Sequence, residues 1–270
     1  MALPPPRSDL TALVTGASSG IGTEIARELA RRGHNVTLVA RSAGKLADLA
    51  KELRELGVEA DVIPLDLADG EARAELADLV KAQGKVVSIL VNNAGLSTMG
   101  PVHKANPQAE LNMIELDVVA VAELCTRFLP GMVERRSGAV LNVASTAAFQ
   151  PLPGQAGYAA SKAFVLSYTR ALSGELRGTH VTATALCPGP VRTGFNEAAG
   201  ISDREAESAM PGFMWETAED VARCGVDAMA SGKTVVIPGL PGRLTAAFGH
   251  MAPKDLLMPI LASRHPKLRK

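Results

Sequence analysis

Residues 11–33 read TALVTGASSGIGTEIARELARRG, and three physical signals follow one another along them. TALVT is a short apolar run of the kind that forms a buried strand. TGASSGIG, residues 15–22, then places glycines at 16, 20 and 22. Gly16 lets the chain turn, while Gly20 and Gly22 let backbone come close to a pyrophosphate and to the sheet. The remainder, IGTEIARELARRG, sets Ile21, Ile25 and Leu29 on one helical face and ends on Gly33, a predicted C-cap. A helix starting here offers unpaired N–H groups and a partial positive charge to an anion. A glycine-rich turn can also be purely structural, so this segment alone leaves both readings open.

Six more apolar runs recur along the chain: NVTLVA from 35, DVIPLD from 61, SILVNNAG from 88, AVLNVAS from 139, HVTATALCPG from 180 and TVVIPG from 234. Helix-like segments such as KLADLAKELRELG (45–57) fill the gaps. Short buried strands alternating with helices predict an α/β fold, a parallel sheet covered on both faces in three layers. Ligands of such sheets bind beyond the carboxyl ends of the strands, where these runs end in Gly, Asp, Asn or Ser. With 270 residues, 47% hydrophobic and 21% charged, one domain over 1–270 is expected. Its core covers 10–240, and residues 194–216, GFNEAAGISDREAESAMPGFMWE, lack an apolar period and are expected to cover the substrate.

Charge and cysteine content narrow the partners. Twenty-eight basic residues balance twenty-eight acidic ones, so no overall field favours nucleic acid or an anionic surface. Cys125, Cys187 and Cys224 are sparse, odd in number and without metal-ligand spacing, which predicts reduced thiols, no metal site and a cytoplasmic setting. MALPPPRSDL has no signal-peptide core, and no run reaches the roughly 18 apolar residues of a spanning helix, so a soluble protein is expected.

Only two tyrosines occur, and Tyr158 stands in YAASK (158–162), four positions before Lys162. Residues four apart share a helix face, so phenol and ammonium can point into one pocket. A cation about 5 Å away at an effective dielectric of ~20 stabilises a phenolate by ~3 kcal/mol, roughly two pK units, which predicts a tyrosine tuned for acid/base work. Ser145 ends the fifth run, 13 residues before Tyr158, where a hydroxyl can hydrogen-bond a developing oxyanion. Taken singly, Ser145 reads as a cap and Tyr158 as a helix-surface residue. Tyr168, on the same helix without a lysine four residues later, serves as the internal control and is expected to pack.

TGASSGIG, NNAG (92–95), Ser145, YAASK and the Pro188–Gly189 pair together resemble the short-chain dehydrogenase/reductase family in order and spacing, over residues 10–240. The resemblance implies a doubly wound Rossmann-type domain with about seven strands, a nicotinamide cofactor and a homodimer or homotetramer. It implies that Tyr158 gives its proton to a substrate oxygen as hydride arrives, with Ser145 and Lys162 assisting. It assigns cofactor contacts to Gly16, Ser18, Ser19, Gly20, Ile21 and Gly22, to Asp66 and Leu67, and to Asn93, Ala94 and Gly95. It adds Tyr158, Lys162, Pro188, Gly189, Val191 and Thr193, with the Thr193 hydroxyl placed to hydrogen-bond the nicotinamide carboxamide. Asp66 has a plainer reading as a cap for a helix around 70–82.

A carboxylate ending the second strand would accept the ribose hydroxyls of NAD. This chain has Ala40 there, followed by Arg41, whose planar fork of donors suits a 2′-phosphate, so NADP(H) is expected over NAD(H). Alternatively, Arg41 is a surface residue. One position departs from the family: its asparagine on the helix after NNAG is here Asp117, in ELDVVAVAEL (115–124). An ionised Asp117 about 7 Å from the phenol would oppose Lys162 by ~2 kcal/mol; the alternative is a solvent-facing aspartate misaligned by a turn.

Phe149, Phe195, Met210, Phe213, Met214 and Trp215 point to an apolar pocket for a hydrophobic ketone, aldehyde or secondary alcohol, or else to core or subunit contacts. Beyond residue 240, the tail 241–270 joins apolar LLMPILA to a basic end. It has three readings: a cover over the substrate, a subunit contact, and, ranked last because Pro259 interrupts the helix, a peripheral membrane contact.

Overall fold

The computed structural model describes residues 3–193, 212–251, 258–259 and 262–263. Its strands are β1 (Leu10–Thr15), β2 (Val36–Ala40), β3 (Ala60–Pro64), β4 (Val86–Asn92), β5 (Gly138–Val143), β6 (Val181–Leu186) and the two-residue β7 (Val235–Val236). All seven predicted runs are strands. They form one parallel sheet in the order β3-β2-β1-β4-β5-β6-β7, a Rossmann-type α/β arrangement.

The helices are α1 (Gly20–Arg31), α2 (Ala43–Arg54), α3 (Gly70–Ala82), α4 (Pro107–Ile114), α5 (Ala120–Glu134), α6 (Ala156–Glu175), α7 (Ala218–Ala230) and α8 (Leu240–Met251). Gly33 follows the end of α1 with φ +83, the left-handed geometry expected of a glycine stop. A π-helical segment, Glu115–Val119, joins α4 to α5 without a break.

The strand pattern explains why the sequence shows continuous apolar runs and not alternation. Ala12 and Val14 of β1 face a core with Ile25 of α1, Leu46 of α2 and Val226 of α7. Leu13 faces the opposite core, with Leu76 of α3, Leu124 of α5 and Leu172 of α6. Both faces are covered, so successive residues are all buried, each large aliphatic contributing about 1.5–3 kcal/mol. From β1 the chain winds outward to β3 and then crosses back to β4, which places β1 beside β4. The crevice between their carboxyl ends is where open α/β sheets bind ligands.

Candidate active site

Thr15, the last residue of β1, ties the two sides of that crevice together. Its Oγ1 donates to the Val91 carbonyl at 3.1 Å and accepts from the N–H groups of Asn93 and Ala94 at 2.9 and 3.0 Å. The Asn93 amide donates to the Thr15 carbonyl at 2.9 Å and reaches the Gly16 carbonyl at 3.3 Å. Gly16 is left-handed (φ +64), and a Cβ there would stand 2.8 Å from the Ala94 Cα. A Cβ on Gly22 would overlap the Asn93 amide and the Gly16 carbonyl, and one on Gly20 would stand 2.9 Å from the Thr193 Cγ2. Two distant segments, Asn93–Ala94 and Thr193, therefore converge on the glycine turn. The Ser19 side chain caps none of the first N–H groups of α1. An open helix N-terminus behind a glycine cradle fits a pyrophosphate.

On the other side of the crevice, the Ser145 hydroxyl accepts from the Ala147 N–H at 3.1 Å, beginning a short 3₁₀ turn (Thr146–Phe149). A side-chain hydrogen bond from Ser145 lowers the Tyr158 phenol, while the Ala147 N–H contact is the cap expected of Ser145. The rim is braced by the end of β6: Ala144 N–H donates to the Leu186 carbonyl at 2.7 Å and Thr146 N–H to the Pro188 carbonyl at 2.8 Å. Tyr158 and Lys162 both lie on α6, with Nζ 5.6 Å from the centre of the phenol ring. Lys162 is 5% exposed, and its Nζ donates to the Val143 carbonyl at 3.4 Å.

Asp117 is not a solvent-facing residue one turn out of register. It is fully buried, its Oδ2 lies 2.9 Å from Lys162 Nζ, and its Oδ1 accepts from the Leu96 N–H at 2.7 Å. The lowering by Lys162 is outweighed at Tyr158 in this environment. Burial raises the phenol most, Lys162 pulls it down, Asp117 pushes it up again, and the outcome lies above the ordinary value. For Lys162, burial is the largest influence and lowers it, but Asp117 and Tyr158 outweigh it and the ammonium is raised. The 2.9 Å contact between Nζ and Oδ2 makes the two a buried ion pair. Burial nonetheless holds the Asp117 carboxyl above the usual range.

The remaining predicted positions divide by depth. Arg41 is exposed just past the end of β2 and makes no ion pair with a described residue. Asp66, also exposed, accepts from the Ala68 N–H at 3.0 Å, but the cap of α3 is Asp69, which accepts from Glu71 and Ala72; the capping reading of Asp66 is corrected accordingly. Leu67 is 4% exposed and its carbonyl accepts from Arg73 at 2.7 Å, which leaves a backbone contact as its route to a ligand. Ser18 and Ile21 are half-buried in the turn, and Val191 is buried. Tyr168 packs as expected, stacked on Phe164 with ring centres 5.5 Å apart; burial pushes its phenol up to about 12.

Residues 194–211, with Phe195 and Met210, lie outside the described residues, whereas Phe213 is 75% exposed. Two features escaped the sequence. Glu216 N–H donates to the Pro190 carbonyl at 3.0 Å, its own carbonyl accepts from Arg192 at 3.2 Å, and its carboxylate takes the Gly189 N–H, pinning the segment after β6. It sits in a stretch without periodicity, so no local signal marks it. Helix α8 turns Gly242, Ala246 and Gly249 inward, with Gly249 against Gln150 and Gly242 near Thr146, and leaves Leu240, Leu244 and Phe248 outside. The described start of the tail thus packs beside the turn that follows Ser145.

Comparison with known proteins agrees with this geometry. The short chain dehydrogenase family model matches residues 10–203. The chain belongs to that family of oxidoreductases. It is 38% identical over 214 residues to a putative ketoacyl reductase of Streptomyces coelicolor, covering 78% of each chain. With a short chain dehydrogenase of Pseudocercospora fijiensis it shares 37% identity over 185 residues, 68% of this chain but 60% of that longer protein. Its fold superposes on a short-chain dehydrogenase from Sphingobium yanoikuyae in complex with NADPH with a TM-score of 0.79 at 31% identity, covering 92% of this chain and 95% of that one. A Burkholderia phymatum family member in complex with NAD also gives 0.79, at 26% identity over 93% and 95%. No helix among the described residues is long and apolar enough to cross a membrane.

Proposed function

We propose that this protein is an NADP(H)-dependent reductase of hydrophobic ketones or aldehydes, able to run in reverse as an alcohol dehydrogenase, with Ser145, Tyr158 and Lys162 as its catalytic residues. The observation that carries this reading is the meeting of the Ser145 hydroxyl with the Tyr158 phenol above Lys162, across the crevice from an open glycine cradle. A dinucleotide held in this crevice would supply hydride to the carbonyl carbon. Tyr158 gives the phenolic proton to the carbonyl oxygen as its negative charge develops, and Ser145 donates a hydrogen bond to the same oxygen. Lys162 stabilises the phenolate left behind until solvent returns its proton. Gly16, Ser18, Ser19, Gly20, Ile21 and Gly22 hold the pyrophosphate; Asn93, Ala94, Gly95, Pro188, Gly189, Val191 and Thr193 line the rest of the dinucleotide.

Preference for NADP(H) rests on Arg41, a cation without an ion pair to a described residue at the end of β2, where Ala40 supplies no competing carboxylate. The NADPH complex of the Sphingobium relative supports it, while the NAD complex of the Burkholderia relative marks the alternative that the Arg41 variant tests. An apolar substrate is supported by exposed Phe213 and by the exposed apolar face of α8, Leu240, Leu244 and Phe248. The ketoacyl reductase relative favours a carbonyl compound on the same grounds. A homo-oligomer belongs to the same reading, supported by exposed Leu111, Ile114, Val119 and Phe164 on neighbouring helices.

The test is Tyr158→Phe, assayed with NADPH against ketones graded by length and polarity. The expected result is loss of turnover with cofactor binding intact. Undiminished turnover would overturn the proposal.

A further inference from the structure

The buried carboxylate beside Lys162 has a structural origin of its own. Between α4 and α5 the helix widens into its π-helical turn, and Asp117 sits at the centre of that segment, fully buried, while Glu115 keeps 45% of its side chain exposed and pairs outward with Arg73. Segments of this type are frequent at functional sites, because the extra residue re-aims a side chain that a regular helix would turn elsewhere. Gly95 makes room from the opposite side: a Cβ there would stand 3.1 Å from Lys162 Nζ and 3.2 Å from Asp117 Oδ1. The carboxylate is held at both ends, by the Leu96 N–H and by the ammonium.

Taking Tyr158 and Lys162 in the roles proposed above, on which this step rests, we infer that Asp117 is a positioning residue that neutralises Lys162 in place and thereby keeps Tyr158 a proton donor through neutral pH. An isolated ammonium favours the phenolate. An ammonium with a carboxylate 2.9 Å away presents a dipole to the phenol, and much of that favour is cancelled. The other groups facing the phenol do not restore it. Ser145 is neutral, and the Cys187 thiol, which acts on Lys162, is pushed up to about 12 by burial and stays protonated. Burial and Asp117 together leave the phenol above its ordinary value despite Lys162.

The sign follows from the protonation state each direction needs. Ketone reduction uses the protonated phenol and declines as pH rises through its pKa; alcohol oxidation uses the phenolate and grows over the same interval. Removing the Asp117 charge lowers that pKa. In Asp117→Asn, which keeps the shape and an acceptor for the Leu96 N–H, both transitions in kcat/KM should move down by about one to two pH units. Asp117→Glu, which keeps the charge, should restore the wild-type profile. NADPH affinity and thermal midpoint report folding, and Asp117→Ser supplies a second uncharged variant should the asparagine fail to fold. A rate reduced by the same factor at every pH, or unmoved transitions in both uncharged variants, would overturn the inference. Turnover by Tyr158→Phe would instead overturn the proton-donor reading beneath it, so the two failures are distinguishable.

Discussion

The Asn93 side-chain amide donates to the Thr15 carbonyl at 2.9 Å, so the end of β4 holds the first residue of the glycine turn in place. Gly22, on the first turn of α1, packs against that same amide, and a Cβ at this position would overlap it and the Gly16 carbonyl. The turn, the start of α1 and the end of β4 are therefore one interlocked unit, and a single methyl group in the wrong place disturbs all three.

Gly22→Ala is accordingly expected to destabilise the protein by about 1–3 kcal/mol, the usual cost of overpacking, and to weaken dinucleotide binding at least ~10-fold. Urea denaturation and fluorescence titration with NADPH measure the two effects. Unchanged binding in a folded Gly22→Ala protein would remove the turn from the cofactor site.

For Arg41, charge and donor geometry act only on a phosphate at the ribose 2′ position. Arg41→Ala should raise the NADPH dissociation constant about 10-fold or more, equivalent to ~1.4 kcal/mol, and leave NADH binding nearly unaltered. Calorimetry with both dinucleotides decides the matter. Equal losses for the two would assign Arg41 to the surface.

Lys162→Met removes the counter-charge of a fully buried carboxylate, and breaking such a pair typically costs about 3–5 kcal/mol. Burial holds the folded-state pKa of Asp117 above its unfolded value, so its protonated form stabilises the fold at low pH and that contribution is lost as pH rises through the folded value. The deficit of Lys162→Met should therefore be larger at pH 8 than at pH 5, and Asp117→Asn added to it should recover part of the loss at pH 8. Denaturation midpoints across that range provide the check, and a deficit independent of pH would contradict the buried-pair account.

The features legible in the sequence are those whose governing interactions are local. TALVT and NVTLVA are strands because runs of β-branched and aliphatic residues suit a sheet covered on both faces, and TGASSGIG turns because glycine tolerates the left-handed geometry seen at Gly16 and Gly20. Tyr158 and Lys162 share a face because they are four apart on α6. The cap that spacing offers to Asp66 is made by Asp69, three residues on, because its side chain reaches the Glu71 and Ala72 N–H groups. Glu216 and the inward small face of α8 went unseen, since what each touches, Gly189 and Gln150, is distant in the chain.

Composition, periodicity and turn chemistry alone thus determined the strands, their parallel order-of-layers architecture, the phosphate-type turn and the tyrosine–lysine spacing, all of them properties of a few adjacent residues. The charge state around the phenol was decided only in three dimensions. Whether Asp117 faces solvent or Lys162 depends on a π-helical turn, on the missing Cβ of Gly95 and on burial that removes water from both charges, and no neighbouring residue in the chain encodes that combination.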